Sequence, residues 1–260
     1  MNEVRPLRVH ALSNADSLGY LGQQAVARAA GEKDDYRIVG GHMVRLLLQV
    51  YPTPDAVLRS TLDADAAVDD VDVVGTIDES FLAQDFTKEG GNAYLKELDE
   101  EQRIEVNLLL SGSGPRPGLG SREVPGVGHV DTLPELSFIM ARPPLLLGVR
   151  ATLHDGRILD YTTRIPDLEA ALVLKAHSWR GRRAEKDVAD LYSLLAIREA
   201  HPGIDWRMDE ADLRGYRRDA ARILHRLMGS LTRRTSNITA PRGLDRFRMA
   251  ALISKHVSRP

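Results

Sequence analysis

At 260 residues, with 43% hydrophobic and 28% charged side chains, the chain can bury a substantial core as one large domain or two small ones. It has no cysteine, which excludes disulfides, zinc–thiolate sites and a cysteine nucleophile. No run approaches the roughly 18 apolar residues of a membrane span, and the first twenty residues lack a signal-peptide core, so a cytoplasmic protein without a membrane partner is expected. The net charge of −2 hides an asymmetry: residues 1–110 carry 10 Lys/Arg against 20 Asp/Glu, whereas residues 175–260 carry 19 against 10, at least fifteen of them arginine. Arginine suits bidentate contact with phosphate, so this imbalance is read two ways. Either a metal-binding half is joined to a polyanion-binding half, or the arginines lie on solvated faces and meet carboxylates internally.

In chain order, residues 13–30 have helical spacing (Leu18, Leu21, Ala25, Ala29), with Ser13 or Asn14 as cap. Tyr36 to Val39 is a short apolar strand. The glycine pair Gly40-Gly41 then opens a helix carrying Met43, Val44, Leu47 and Leu48, stopped by Pro52 and Pro54. An extended segment holds Asp63 and Asp65. The acidic run Asp69, Asp70, Asp72 reads as a solvated turn, with extra ligands as the alternative. Residues 77–86 are expected as a short helix, 92–101 as a polar exposed segment, and 103–110 as a strand carrying Glu105. Residues 111–128 (SGSGPRPGLGSREVPGVG) read as a loop. The segment 145–163 reads as a hairpin turning at Asp155-Gly156. Pro166-Asp167 opens a helix that would place Lys175 near its far end. Further helices are expected over 184–200, from Asp212 onward, and over 243–256.

The chemistry concentrates between Tyr36 and Asp65. Two carboxylates at i and i+2 on an extended segment project from one face. A glycine pair at a strand-to-helix junction lets backbone N–H groups approach a phosphate. Hard oxygen ligands for Mg²⁺ and an amide cradle for a triphosphate are the parts a metal–nucleotide site needs. Glu105, in an apolar strand, supplies a third acid that is costly to bury unless paired or metal-bound. Asp187 and Asp190 stand at i and i+3 on one helix face. Asp187 either positions Lys175 or takes part in catalysis, or it is tied to Arg180, Arg182 or Arg183. His177 and Trp179 either flank a nucleobase or lie in the core.

The order Gly40, Gly41, then Arg59, Thr61, Asp63, Asp65, then Glu105 resembles the nucleotidyltransferase superfamily. A second signature, Lys175-x-x-Ser178-x-Arg180 followed by Lys186-Asp187-x-x-Asp190-Leu191, resembles the AbiEii-type nucleotidyltransferases. Those are toxins of abortive-infection toxin–antitoxin pairs and include the mycobacterial MenT toxins. The resemblance covers about residues 36–195, with 21 residues between Gly41 and Asp63, a longer spacing than the family's. It implies an α+β fold: a minimal nucleotidyltransferase core, a mixed sheet flanked by helices, over residues 1–165, and a helical, basic region over 166–260. It implies transfer of a nucleoside monophosphate from an NTP, with Asp63, Asp65 and Glu105 holding Mg²⁺ in a two-metal site. Glu105 would serve as third ligand or as base. Gly40, Gly41, Arg59 and Thr61 would bind the nucleotide, Lys175 would neutralise the triphosphate, and Asp187 would join the catalytic set. The implied acceptor is RNA, tRNA at its 3′ end, and the implied partner is an antitoxin. The alternatives are a small-molecule or protein acceptor, and an inactive homologue that only binds nucleotide or a partner.

Overall fold

Residues Arg103–Ser111 alternate between buried and half-buried side chains, the period-2 pattern of a strand with one covered face. In the computed structural model of the protein this strand is the centre of a seven-stranded mixed sheet. The structure describes residues 3–32, 35–54, 56–57, 59–90, 92–112, 119–233, 235 and 238–260. It divides into two compact units, one of Met1–Met43 with Arg59–Pro166 and one of Val44–Leu58 with Asp167–Pro260.

The first unit holds both sheets. Its elements are β1 (Arg5–His10), α1 (Asn14–Ala30), β2 (Tyr36–Ile38), the first turn of α2 (Gly40–Val50), β3 (Ala64–Val68), α3 (Val71–Ala83), β4 (Thr87–Glu89), β5 (Ala93–Glu97), β6 (Arg103–Ser111), β7 (Gly120–Val124), β8 (Gly128–Leu133), α4 (Leu136–Met140), β9 (Leu145–Thr152) and β10 (Ile158–Ile165). The larger sheet runs β2-β3-β6-β5-β4, with β8 joining the end of β6 and β7 pairing β8. The pair β3–β6 is parallel, with Asp65 opposite Asn107, whereas β5–β6 is antiparallel. The smaller sheet runs β1-β9-β10. The fold class is therefore α+β, with mixed sheets flanked by helices.

Helix α1 is seated by two small residues. A Cβ at Gly22 would lie 2.8 Å from the Ala64 methyl and 3.5 Å from Ile104, so α1 covers the face of β3 and β6 that bears Ala64 and Ile104. Ile104, Val106, Leu108 and Leu110 are buried on that face. By strand alternation Asp65, Glu105 and Asn107 face the other way. Ser13 caps α1, its hydroxyl accepting from the Asp16 N–H at 3.2 Å.

Several expectations need correction. The run Asp69, Asp70, Asp72 is a helix start: Asp70 caps α3 by accepting from the Asp72 N–H at 3.0 Å. That helix therefore begins at Val71 rather than Ile77. Residues 92–101 are not simply exposed, because β5 buries Tyr94 and Leu95. The Tyr94 hydroxyl donates to buried Asp78 at 2.5 Å, and Lys88 donates to the same carboxylate at 2.7 Å. Part of the segment expected as a loop over 111–128 is the β7–β8 hairpin, turning through Gly126 (φ 78°) and Gly128 (φ 103°). β7 is exposed along most of its length, so no apolar alternation marks it. Residues 113–118 lie outside the described residues. The hairpin at Asp155-Gly156 is present as expected, with β9 and β10 antiparallel and Gly156 at φ 86°.

The second unit is helical: α5 (Leu168–Arg182), α6 (Glu185–Ala200), α7 (Gly215–Leu231) and α8 (Arg246–His256), with residues 44–58. Asp167 caps α5 through the Ala170 N–H at 2.8 Å, and Asp245 caps α8. Lys175 falls at the middle of α5, because the helix starts after Pro166 and continues to Arg182. Helix α7 begins at Gly215 rather than Asp212, whose carboxylate is taken by Arg214 at 2.5 Å. Buried Glu169 accepts from the Arg217 Nε at 2.7 Å and from the Arg207 backbone N–H, tying α5 to α7 and to the segment between α6 and α7. Among the described residues no helix is long and apolar enough to cross a membrane.

Candidate active site

Gly40 follows β2 and opens α2 with φ +66°, a conformation that L side chains rarely adopt. The Val39 N–H donates to the Asp65 carbonyl at 2.9 Å, which lays the glycine turn against β3. A Cβ on Gly40 would stand 2.0 Å from Asp65 Oδ2. A Cβ on Gly41 would stand 2.3 Å from Thr61 Oγ1 and 2.5 Å from Arg59 Nη2. Arg59 in turn donates to Thr61 Oγ1 at 2.7 Å. Gly40, Gly41, Arg59, Thr61 and Asp65, spread over 26 residues of chain, thus occupy one cluster in which only glycine leaves room.

Asp65 and Glu105 lie on the same sheet face. Asp65 is half-buried on β3, and its Oδ1 accepts from the Asn107 amide at 3.3 Å. Asp63, half-buried, precedes the strand by one residue. Glu105 is half-buried on β6, two residues before Asn107 and so on the same face as Asn107 and Asp65. Among the described residues no group of three or more His, Asp or Glu side chains is gathered to hold a metal ion. The donor set nevertheless fits Mg²⁺, which keeps several waters and is commonly held by one or two carboxylates together with substrate phosphates. Asp63 and Asp65 are the residues that would hold it.

A polar chain behind the glycine turn was not legible in the sequence. His42, in the first turn of α2, is 1% exposed and approaches α1 so closely that a Cβ at Gly19 would lie 2.1 Å from its Nε2. Gln23 Nε2 lies 2.9 Å from His42 Nδ1, and the Tyr161 hydroxyl donates to Gln23 Oε1 at 3.1 Å. Withdrawal from water pushes the Tyr161 hydroxyl well above the ordinary tyrosine value, with Tyr20 and Tyr36 adding to the shift. The phenol therefore stays a donor, Gln23 presents its amide N–H to His42, and Nδ1 of His42 is the acceptor. This chain fixes the start of α2. The spacing Gly19-x-x-Gly22 was the available signal, since small residues three apart permit close helix packing.

In the second unit Lys175 is 2% exposed and its partner is Asp190, Nζ to Oδ2 2.6 Å. Asp187, fully buried, takes a bidentate pair from Arg182, with both N···O distances 2.7 Å. Asp187 thus makes the arginine link, and the carboxylate that meets Lys175 is that of Asp190. His177 is buried edge-on to Tyr216, with ring centroids 5.7 Å apart. Trp179 is 3% exposed, a core side chain, with the Arg183 guanidinium 4.9 Å over its ring.

No family model matches the chain, and no curated protein matches it. Among solved structures it is similar to the crystal structure of an antigenic nucleotidyltransferase-like protein from Paracoccidioides brasiliensis. The two are 15% identical over 95% of this chain and 96% of that one, with a TM-score of 0.48.

Proposed function

We propose that the protein is a Mg²⁺-dependent nucleotidyltransferase that moves a nucleoside monophosphate from an NTP to a hydroxyl of a nucleic-acid acceptor, the α–β phosphoanhydride bond breaking to release pyrophosphate. One observation carries this reading: Gly40 and Gly41 are held against Asp65, Thr61 and Arg59 at separations that any side chain would violate. The glycine turn opens a helix whose first turn has no acidic residue. The first N–H groups of a helix have no intrahelical partner and favour an anion. Asp65 lies against the same turn, and Asp63, two residues before it, would join it as a second hard ligand.

Each residue then has a role in this reading. Gly40 and Gly41 admit the β and γ phosphates to the backbone. Arg59 and Thr61 fix that backbone and present donors to the triphosphate. Asp63 and Asp65 would hold Mg²⁺ against the phosphates, and Asn107 orients Asp65. Glu105, on the same face, would accept the proton of the attacking hydroxyl or complete the ligand set. Bound Mg²⁺ would offset charge on the reacting phosphate and lower the cost of deprotonating the acceptor. Lys175 would offset triphosphate charge, with Asp190 setting its position, and Asp187 would hold Arg182. The basic C-terminal helices would carry the acceptor's phosphates. The two sequence signatures extend the proposal to an AbiEii/MenT-type toxin that modifies tRNA and is countered by an antitoxin.

Because no group of three or more His, Asp or Glu side chains is gathered among the described residues, metal and nucleotide should bind together. Calorimetric titration of Mg²⁺ into the protein alone should give weak heat, and titration in the presence of a non-hydrolysable NTP should give a tight site that Asp65→Asn removes. Tight Mg²⁺ binding without nucleotide would contradict this ligand set. Absence of NTP binding with all four analogues would leave only the inactive, partner-binding alternative.

A further inference from the structure

The second unit contains a cavity of about 340 Å³ lined by Trp179, Arg183, Ser230, Arg233, Ile238 and Thr239, among others. Its size is at the lower end of small-ligand sites. None of its described lining residues is acidic. Elsewhere in this unit Arg182, Arg207, Arg217 and Arg222 each face a carboxylate within 3.6 Å. Among the described residues no ion pair engages Arg183 or Arg233.

Arg183 is also held in place against its backbone preference. It ends α5 in the left-handed region, φ 52° and ψ 29°, where glycine is the relaxed choice. There its N–H closes the helix onto the Trp179 carbonyl at 2.9 Å, and its guanidinium lies over the Trp179 ring. A guanidinium so stacked has its donor edge free to meet a planar anion or a base. Arg233 follows the end of α7, and Thr239 adds a hydroxyl at the same wall, whereas the Ser230 hydroxyl donates to the Arg226 carbonyl at 3.1 Å.

We propose that this cavity binds a backbone phosphate of a single-stranded nucleic acid, gripped between Arg183 and Arg233. The inference rests on the nucleic-acid acceptor reading above and gives that acceptor a specific seat. Two guanidiniums with no ion pair among the described residues, in a concavity whose described lining holds no carboxylate, form a local positive potential. Hydrogen bonds from Arg to phosphate are charge-assisted and bidentate. The Arg183–Trp179 stack offers a flat cation on which an unstacked base can lie, as single-stranded RNA readers use.

The test is fluorescence anisotropy of a short labelled single-stranded RNA at several KCl concentrations, on wild type and on the Arg183→Gly/Arg233→Ser double variant. Glycine relaxes the positive φ, so the variant's thermal transition should not fall, and weaker binding cannot be ascribed to unfolding. The dissociation constant should rise about tenfold or more. The slope of log affinity against log salt should shrink by roughly 0.7 for each phosphate that the variant no longer neutralises. Equal affinity and slope in the two proteins would overturn the cavity as the seat while leaving the acceptor reading intact. If wild type binds Mg²⁺–NTP but no RNA, the acceptor reading falls and the seat with it. Inorganic phosphate displacing RNA at matched ionic strength would mark a free-anion site and overturn the proposal.

Discussion

Gly40→Ala should cost the first unit about 2–5 kcal/mol and remove NTP binding. The left-handed backbone alone costs an L residue about 1–2 kcal/mol, and forcing a methyl into packed space typically costs about 1–3 kcal/mol. The new Cβ would meet Asp65 Oδ2 at 2.0 Å, so the carboxylate itself must move. Gly75, inside α3, is the matched control: nothing lies within 4 Å of a Cβ there. Gly75→Ala should stabilise by about 0.5–1 kcal/mol, because glycine is a poor helix residue. Thermal melts and NTP titrations of the two variants measure both effects. A Gly40→Ala protein that melts like wild type and binds NTP unchanged would remove the glycine turn from the site.

The second large effect concerns Lys175. Lys175→Met leaves the Asp190 carboxylate, 3% exposed, without its 2.6 Å partner. Breaking one member of a buried pair typically costs about 3–5 kcal/mol, whereas replacing both by apolar residues is often neutral. Lys175→Met/Asp190→Leu should therefore melt near wild type. On the role proposed for Lys175, nucleotidyl transfer should be abolished in both. A buried pair that apolar residues could replace at no cost in stability invites a functional reason. Full transfer by the double variant would make the pair structural only.

How much of this was legible follows the range of the interactions involved. Caps and turns are local, so Ser13, Asp167 and the Asp155-Gly156 hairpin could be read from the residues beside them. The glycine pair and the Asp-x-Asp segment could be read as types, but their approach depends on β2 lying antiparallel to β3, Tyr36 opposite Val68. β1 pairs with β9, Arg5 opposite Leu147, and no local signal announces a parallel partner so far along the chain. β7 has no covered face to impose alternation, so its glycines and serines read as loop. Asp70 was ambiguous for a different reason: a solvated acid and a helix cap have the same residue type. The partner choice of Asp187 and Asp190 was also hidden. Both lie on one face of α6, and which one meets Lys175 depends on how α5 and α6 pack. The signal for Asn107 was present, since Glu105-x-Asn107 puts its amide on the acidic face, but an amide draws less notice than a carboxylate.

Transfer of a nucleoside monophosphate to RNA is measured most directly by incubating the protein with total tRNA, Mg²⁺ and each α-³²P-labelled NTP in turn. Asp63→Ala is the control. Wild type should label RNA from at least one NTP, and Asp63→Ala should label none. RNA left unlabelled with all four NTPs, by a protein that binds Mg²⁺–NTP, would contradict the nucleic-acid acceptor and favour a small-molecule or protein acceptor.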